Sequence, residues 1–193
     1  MGLTQALQAA GHRVVVDADG GALAKALNAP PHVIKPNRFE LLQYCGLPED
    51  TPEEELTRRG AALLNKGVEW AIVSLGAEGA LFFTHDNAMR ARALPVPVQS
   101  AVGAGDCMLG AVAFALQNTL GFEDTVRLAM AASPGAVATK GTNPPPLHLV
   151  NQLKEQVQIE PVGNFYGNTA QNGMAGSPHG FLRQAASKAQ GRH

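Results

Sequence analysis

The chain has 193 residues, with 15 lysines and arginines against 16 aspartates and glutamates, a length that allows one domain with a buried core. The balanced charge, with no basic patch or charge block, excludes nucleic acid and anionic membranes as expected partners, while a small polyanion can still be held by a nest of backbone N–H groups. Two cysteines, Cys45 and Cys107, are too few for a disulfide framework or a metal cluster, and both read as reduced core residues.

In chain order, the first five residues carry no charged segment leading into an apolar one, so no signal peptide is expected. Residues 3–10 read as an amphipathic helix stopped by Gly11. The β-branched run 12–17 predicts a strand ending in the carboxylate of Asp17. Residues 21–28 form an alanine-rich helix, and 32–36 a short strand ended by a proline. Asn37 then caps a helix through Tyr44, with Gly46 as its stop. Thr51, a following proline and three glutamates start a helix reaching about Lys66. A buried-type strand covers 69–75. Residues 79–84 and 88–94 pair as a hairpin around 85–87. Helices follow over 104–118, 122–138 and 146–157. The longest apolar stretch, 101–116, holds Asp106 and three glycines, too short and too polar to span a bilayer. A cytoplasmic protein is the expectation. Alternating strands and helices predict a three-layer α/β fold with a mostly parallel sheet, whose ligands sit beyond the carboxyl ends of the strands. From Gly163 onward the composition is rich in Gly and Asn without periodicity, which reads as a flexible tail.

Four segments carry candidate chemistry. In 100–106, Ser-Ala-Val-Gly-Ala-Gly-Asp, Gly103 and Gly105 permit positive φ and close backbone approach to a ligand. The loop opens a helix, whose first N–H groups and dipole favour an anion. There Asp106 is either a helix cap or a base beside a phosphate site. In Lys35-Pro-Asn-Arg-Phe-Glu40, Asn37 and Glu40 suit a capping box or the surroundings of a hydrated Mg²⁺. Ser74, Gly76 and Gly79 make either a glycine turn or a loop against nucleotide. Small residues over 135–143 allow either tight helix packing or a slot for a flat base. The six histidines are scattered without ligand spacing, and Trp70 reads as a partly buried strand residue.

Taken together, Lys35-Pro-Asn-x-x-Glu40, Ser74-Leu-Gly-x-x-Gly79 and Ser100-x-Val-Gly-Ala-Gly-Asp106 resemble the PfkB (ribokinase-like) carbohydrate kinases over about residues 13–154. The similarity is greatest to the branch of 1-phosphofructokinases, tagatose-6-phosphate kinases and minor 6-phosphofructokinases. The resemblance implies a ribokinase-like three-layer α/β/α fold and ATP-dependent phosphorylation of a sugar phosphate. In that reading Asp106 is the base, and Gly103, Ala104, Gly105 and Asp106 form the anion hole. Asn37 and Glu40 organise Mg²⁺. Lys35, Asn37, Ser74, Gly76 and Gly79 line ATP, with Ala136 and Thr139 flanking adenine. Carbonyls of Ser100, Val102, Ala136 and Gly141 match a K⁺ site.

Ala101 stands where the family usually has threonine, and Pro134 where the branch has a small polar residue. The family's sugar-binding half, with its Gly-Gly motif, β lid and basic residues, has no counterpart in these residues. The expectation is therefore an N-terminally truncated fold: residues 1–160 are the ATP-binding portion and 161–193 a tail. Such a chain is expected to have little activity alone, and to self-associate or take a complementing N-terminal half. The alternative is a non-catalytic nucleotide-binding or interaction relic.

Overall fold

The computed structural model describes residues 2–17, 21–97, 99, 103–139 and 143–163. Helix α1 (Leu3–Ala9) leads to strand β1 (Val15–Val16), helix α2 (Gly21–Leu27) and strand β2 (Val33–Ile34). Helices α3 (Arg38–Cys45) and α4 (Glu53–Ala62) follow, with a short 3₁₀ turn at Leu63–Lys66. Strands β3 (Trp70–Ser74), β4 (Ala80–Phe83) and β5 (Ala88–Ala91) come next. The remaining elements are helices α5 (Ala104–Gln117), α6 (Phe122–Val137) and α7 (Leu147–Lys154), then strand β6 (Ile159–Pro161).

The six strands lie in sequence order across one sheet. Parallel pairing joins β1, β2 and β3, while β4, β5 and β6 each run antiparallel to the strand before. Four of the six strands therefore share one direction. Strand alternation sends side chains to two separate cores. Ile34, Ala71, Val73, Leu81 and Phe83 face the core built with α2, α3 and α4. Val33, Trp70, Ile72, Ala80 and Phe82 face the core built with α5, α6 and α7. That is the expected three-layer arrangement. Trp70 stacks obliquely on Phe122, with ring centroids 5.0 Å apart.

Two local readings change. The hydroxyl of Thr51 donates to the Pro48 carbonyl at 2.6 Å instead of capping α4, which begins at Glu53. Strand β6, unforeseen in the sequence, pairs with β5 and carries the sheet to Pro161. The tail reading from residue 164 onward lies outside the described residues.

Candidate nucleotide and phosphoryl-transfer site

The carboxyl ends of the three parallel strands meet. Lys35 N–H donates to the Val16 carbonyl at 3.1 Å, and Ser74 N–H to the Pro36 carbonyl at 3.0 Å. A parallel bridge joins Asn37 to Ser74. Asp17, Lys35, Asn37 and Ser74 therefore stand side by side on one sheet edge, although far apart in sequence.

Asn37 and Glu40 form the capping box that their spacing permits. Glu40 N–H donates to Asn37 Oδ1 at 2.9 Å, and Asn37 N–H to Glu40 Oε2 at 2.7 Å. The capping role and a metal role are compatible, because an ionised carboxylate can accept about four hydrogen bonds. Among the described residues no three His, Cys, Asp or Glu side chains converge. One carboxylate and one amide oxygen are the donor types that a hydrated Mg²⁺ takes.

Helix α5 starts from Gly103, whose φ of 86° is the left-handed conformation that glycine adopts without strain. The first intrahelical bond is Cys107 N–H to the Gly103 carbonyl at 2.9 Å. The N–H groups of Ala104, Gly105 and Asp106 therefore precede the helical ladder. Asp106 is exposed in this first turn. Burial pushes the Cys107 thiol upward, and the Asp106 charge adds to the effect. Cys107 accordingly stays protonated and is a poor nucleophile.

Beside that helix end lies a buried cation. Lys35 Nζ is 3.1 Å from Asp17 Oδ2, and the lysine side chain is 6% exposed. A Cβ placed on Gly105 would sit 3.3 Å from Lys35 Nζ. The glycine lets the ammonium approach the first turn of α5 closely.

A cavity of about 850 Å³ opens next to Gly105. Ser74, Gly76, Gly79, Ala104, Gly105 and Pro134 are among the residues that line it. Ala93, Leu94, Pro95 and Val96 form an apolar wall that the sequence left unassigned, and Ala77, Met108, Met130, Ser133 and Val137 also line the cavity. Lys35, Asn37, Glu40, Gly103 and Asp106 stand outside this lining. So does Ala136, which is 2% exposed; Pro134 and Val137 take its place. Thr139 is also outside the lining, and its hydroxyl donates to the Gly135 carbonyl at 2.8 Å. Gly135 packs tightly: a Cβ there would meet Pro145 Cβ at 2.8 Å. The small residue at 135 thus serves packing. Ser100, Ala101, Val102 and Gly141 lie outside the described residues.

The sequence pattern described as pfkB family carbohydrate kinase matches residues 2–148. The chain belongs to this family. The 1-phosphofructokinase of Haemophilus influenzae is 33% identical over 154 residues, covering 79% of this chain and 49% of the relative. The ATP-dependent 6-phosphofructokinase isozyme 2 of Escherichia coli is 36% identical over 145 residues, covering 72% and 47%. The crystal structure of Escherichia coli phosphofructokinase-2 in complex with potassium superposes with a TM-score of 0.74 at 31% identity, covering 80% and 50%. The chain thus spans about half the length of these PfkB relatives. Its sheet and flanking helices are the ribokinase-like fold. Among the described residues no helix is long and apolar enough to cross a membrane.

Two site features escaped the motif reading. Asp17 was visible as a strand-end carboxylate, but its partner lies 18 residues on. The wall at 93–96 has no motif; its signal was a Leu-Pro-Val-Pro run ending the hairpin strand.

Proposed function

We propose that this chain forms the nucleotide side of an ATP-dependent kinase acting on a phosphorylated sugar. The observation that carries the reading is the meeting, at the start of α5, of three ladder-free N–H groups, the Lys35 ammonium and an exposed carboxylate beside an apolar cavity. In this reading the adenine enters the cavity between the 93–96 wall and the α6 face at Met130, Pro134 and Val137. The phosphates extend toward Gly105 and Lys35. Asp106 takes the proton of the sugar hydroxyl as its oxygen bonds to the γ-phosphorus and the bond to the departing ADP oxygen breaks. The N–H groups of Ala104, Gly105 and Asp106 receive the negative charge on the transferring group.

Mg²⁺, where bound, neutralises phosphate charge, and Asn37 and Glu40 would hold its hydration shell. The K⁺ reading rests on carbonyls of Ser100, Val102, Ala136 and Gly141. Of these, the Ala136 carbonyl accepts Thr139 N–H at 3.0 Å and keeps a second lone pair. Fructose 1-phosphate, fructose 6-phosphate and tagatose 6-phosphate are the candidate acceptors.

The sugar-phosphate side is to be supplied by sequence outside these 193 residues, consistent with the half-length coverage of the relatives. Strand β1 ends the sheet order, and Phe114 on α5 is 59% exposed. This face is proposed to take that half, and two copies to meet there without it. Holding both substrates in line is worth about 7–11 kcal/mol of barrier, so the chain alone should phosphorylate sugars barely above background.

Calorimetry of the 193-residue chain with Mg·ATP tests the nucleotide reading. Binding with Asp106→Asn retaining ATP affinity is expected; no heat at millimolar ATP overturns it. Rapid phosphorylation of any of the three sugars by the chain alone refutes the shared-site arrangement. Sedimentation should show association that Phe114→Glu weakens, and a monomer at high concentration would count against the face.

A further inference from the structure

Resting on the proposed phosphate site, we infer that Asp17 is a positioning residue for it: the Asp17 carboxylate holds the Lys35 ammonium against the N-terminal turn of α5. An ammonium that is 6% exposed needs a counter-charge or hydrogen bonds, because removing it from water is costly. Asp17 Oδ2, at 3.1 Å, is that counter-charge. The backbone prepares the pair. Val15 and Val16 register with Val33 and Ile34, and Lys35 N–H donates to the Val16 carbonyl. The two strands therefore release Asp17 and Lys35 at adjacent points of one edge.

The direction of the pair is set as well. A Cβ on Gly105 would lie 3.3 Å from Lys35 Nζ, 3.6 Å from Lys35 Cε and 3.6 Å from Asp17 Oδ2. Both charged groups thus abut Gly105, the residue that also lines the cavity. Glu40, the next carboxylate along the edge, spends one oxygen on the α3 cap. Asp17 is 39% exposed and remains open to solvent on its other side. The arrangement fixes the ammonium in place before nucleotide arrives. An ordered lysine loses less side-chain entropy on meeting a phosphate than a free one does.

The test compares Mg·ATP with adenosine as calorimetric probes of the unmodified chain, Lys35→Met, Asp17→Asn, Asp17→Glu and the Asp17→Asn/Lys35→Met pair, each checked for folding by thermal melting. Expected are a loss of ATP affinity on the order of tenfold or more in both neutral single variants, with adenosine affinity within about twofold. The double variant should be no weaker than Lys35→Met alone, because the carboxylate acts through the lysine. Asp17→Glu should recover most of the ATP affinity, an outcome that a purely structural role does not produce.

Unchanged ATP affinity in Asp17→Asn, with Lys35→Met impaired, overturns the positioning role alone. Losses that multiply in the double variant overturn it too. An unchanged preference of Lys35→Met for ATP over adenosine overturns the phosphate-site reading beneath it. Should Asp17→Asn not fold, Asp17→Ser carries the same comparison.

Discussion

Gly79 separates two explanations of a glycine beside the proposed nucleotide cavity: room for a ligand, or room for the protein's own backbone. Its φ of 111° and ψ of −133° belong to a region that residues with a Cβ rarely enter. A Cβ at 79 would lie 2.0 Å from the Ala91 carbonyl oxygen and 2.8 Å from Ala93 N. Both obstacles are main chain, on the strand end that registers with β4 through Ala80 and Ala91. Neither can move without breaking that register or the Leu75 N–H bond to the Gly79 carbonyl at 2.8 Å.

For Gly79→Ala, the conformational strain is about 1–3 kcal/mol. Overpacking adds about 1–3 kcal/mol, and a lost hydrogen bond about 1 kcal/mol. The sum, about 3–7 kcal/mol, is a large part of a typical 5–15 kcal/mol stability. At roughly 2–4 °C per kcal/mol for a chain of this size, the melting temperature should drop by about 6–28 °C. Gly76 is the control. It has φ of 61° with nothing within 4 Å of an added Cβ, so Gly76→Ala should cost only about 1–2 kcal/mol. Thermal melts followed by far-ultraviolet circular dichroism decide the matter. A Gly79→Ala chain that melts within about 2 °C of the unmodified one, having lost only ATP binding, refutes the backbone explanation.

Gly60 poses the opposite balance inside α4. Alanine gains about 1 kcal/mol of helix propensity there. Its Cβ, however, would meet Phe83 Cε2 at 2.6 Å and Val73 Cγ2 at 2.9 Å, both on residues with no exposure. Overpacking at about 1–3 kcal/mol wins, so Gly60→Ala should lower the urea midpoint, and a raised midpoint would contradict this packing. Arg90 binds Glu53 through two bonds of 2.6 and 3.0 Å, and this hydrogen-bonded partner holds the Glu53 carboxyl below its ordinary value of 4.5. Because the folded value is depressed, the pair's contribution is complete above pH 4.5 and fades as pH falls through the folded value. Melts of Arg90→Met should therefore lie below those of the unmodified chain at pH 7 and converge with them in acid; a constant gap across pH would contradict this. Thr119 is exposed with φ of 54°, strained for a β-branched residue, so Thr119→Asn should raise stability by about 0.5–1 kcal/mol in urea titrations; no gain would count against strain there.

The elements that the sequence determined by itself are those with local causes. Asn37 and Glu40 sit three residues apart, the separation of a capping box, and the box forms. Gly46 ends α3 in the left-handed conformation that its position after Tyr44 and Cys45 announced. The strand read over 69–75 and the hairpin read over 79–84 and 88–94 form as Trp70–Ser74, Ala80–Phe83 and Ala88–Ala91, and α5 opens where glycines precede an apolar helix. These signals act within one or two turns of chain, so order along the sequence is enough to read them.

What the tertiary structure decided depends on residues far apart. Strand β6 is three residues long with no strong pattern and exists because β5 offers an edge about 70 residues earlier. The ambiguity at Gly79 is resolved by Ala91, Pro134 turns out to wall a cavity, and Asp17 gains its meaning from Lys35 and Gly105. The physical reason is common to all four. Burial and charge pairing are settled by which surfaces meet, and only the register of the sheet and the packing of α5 and α6 on it bring those surfaces together.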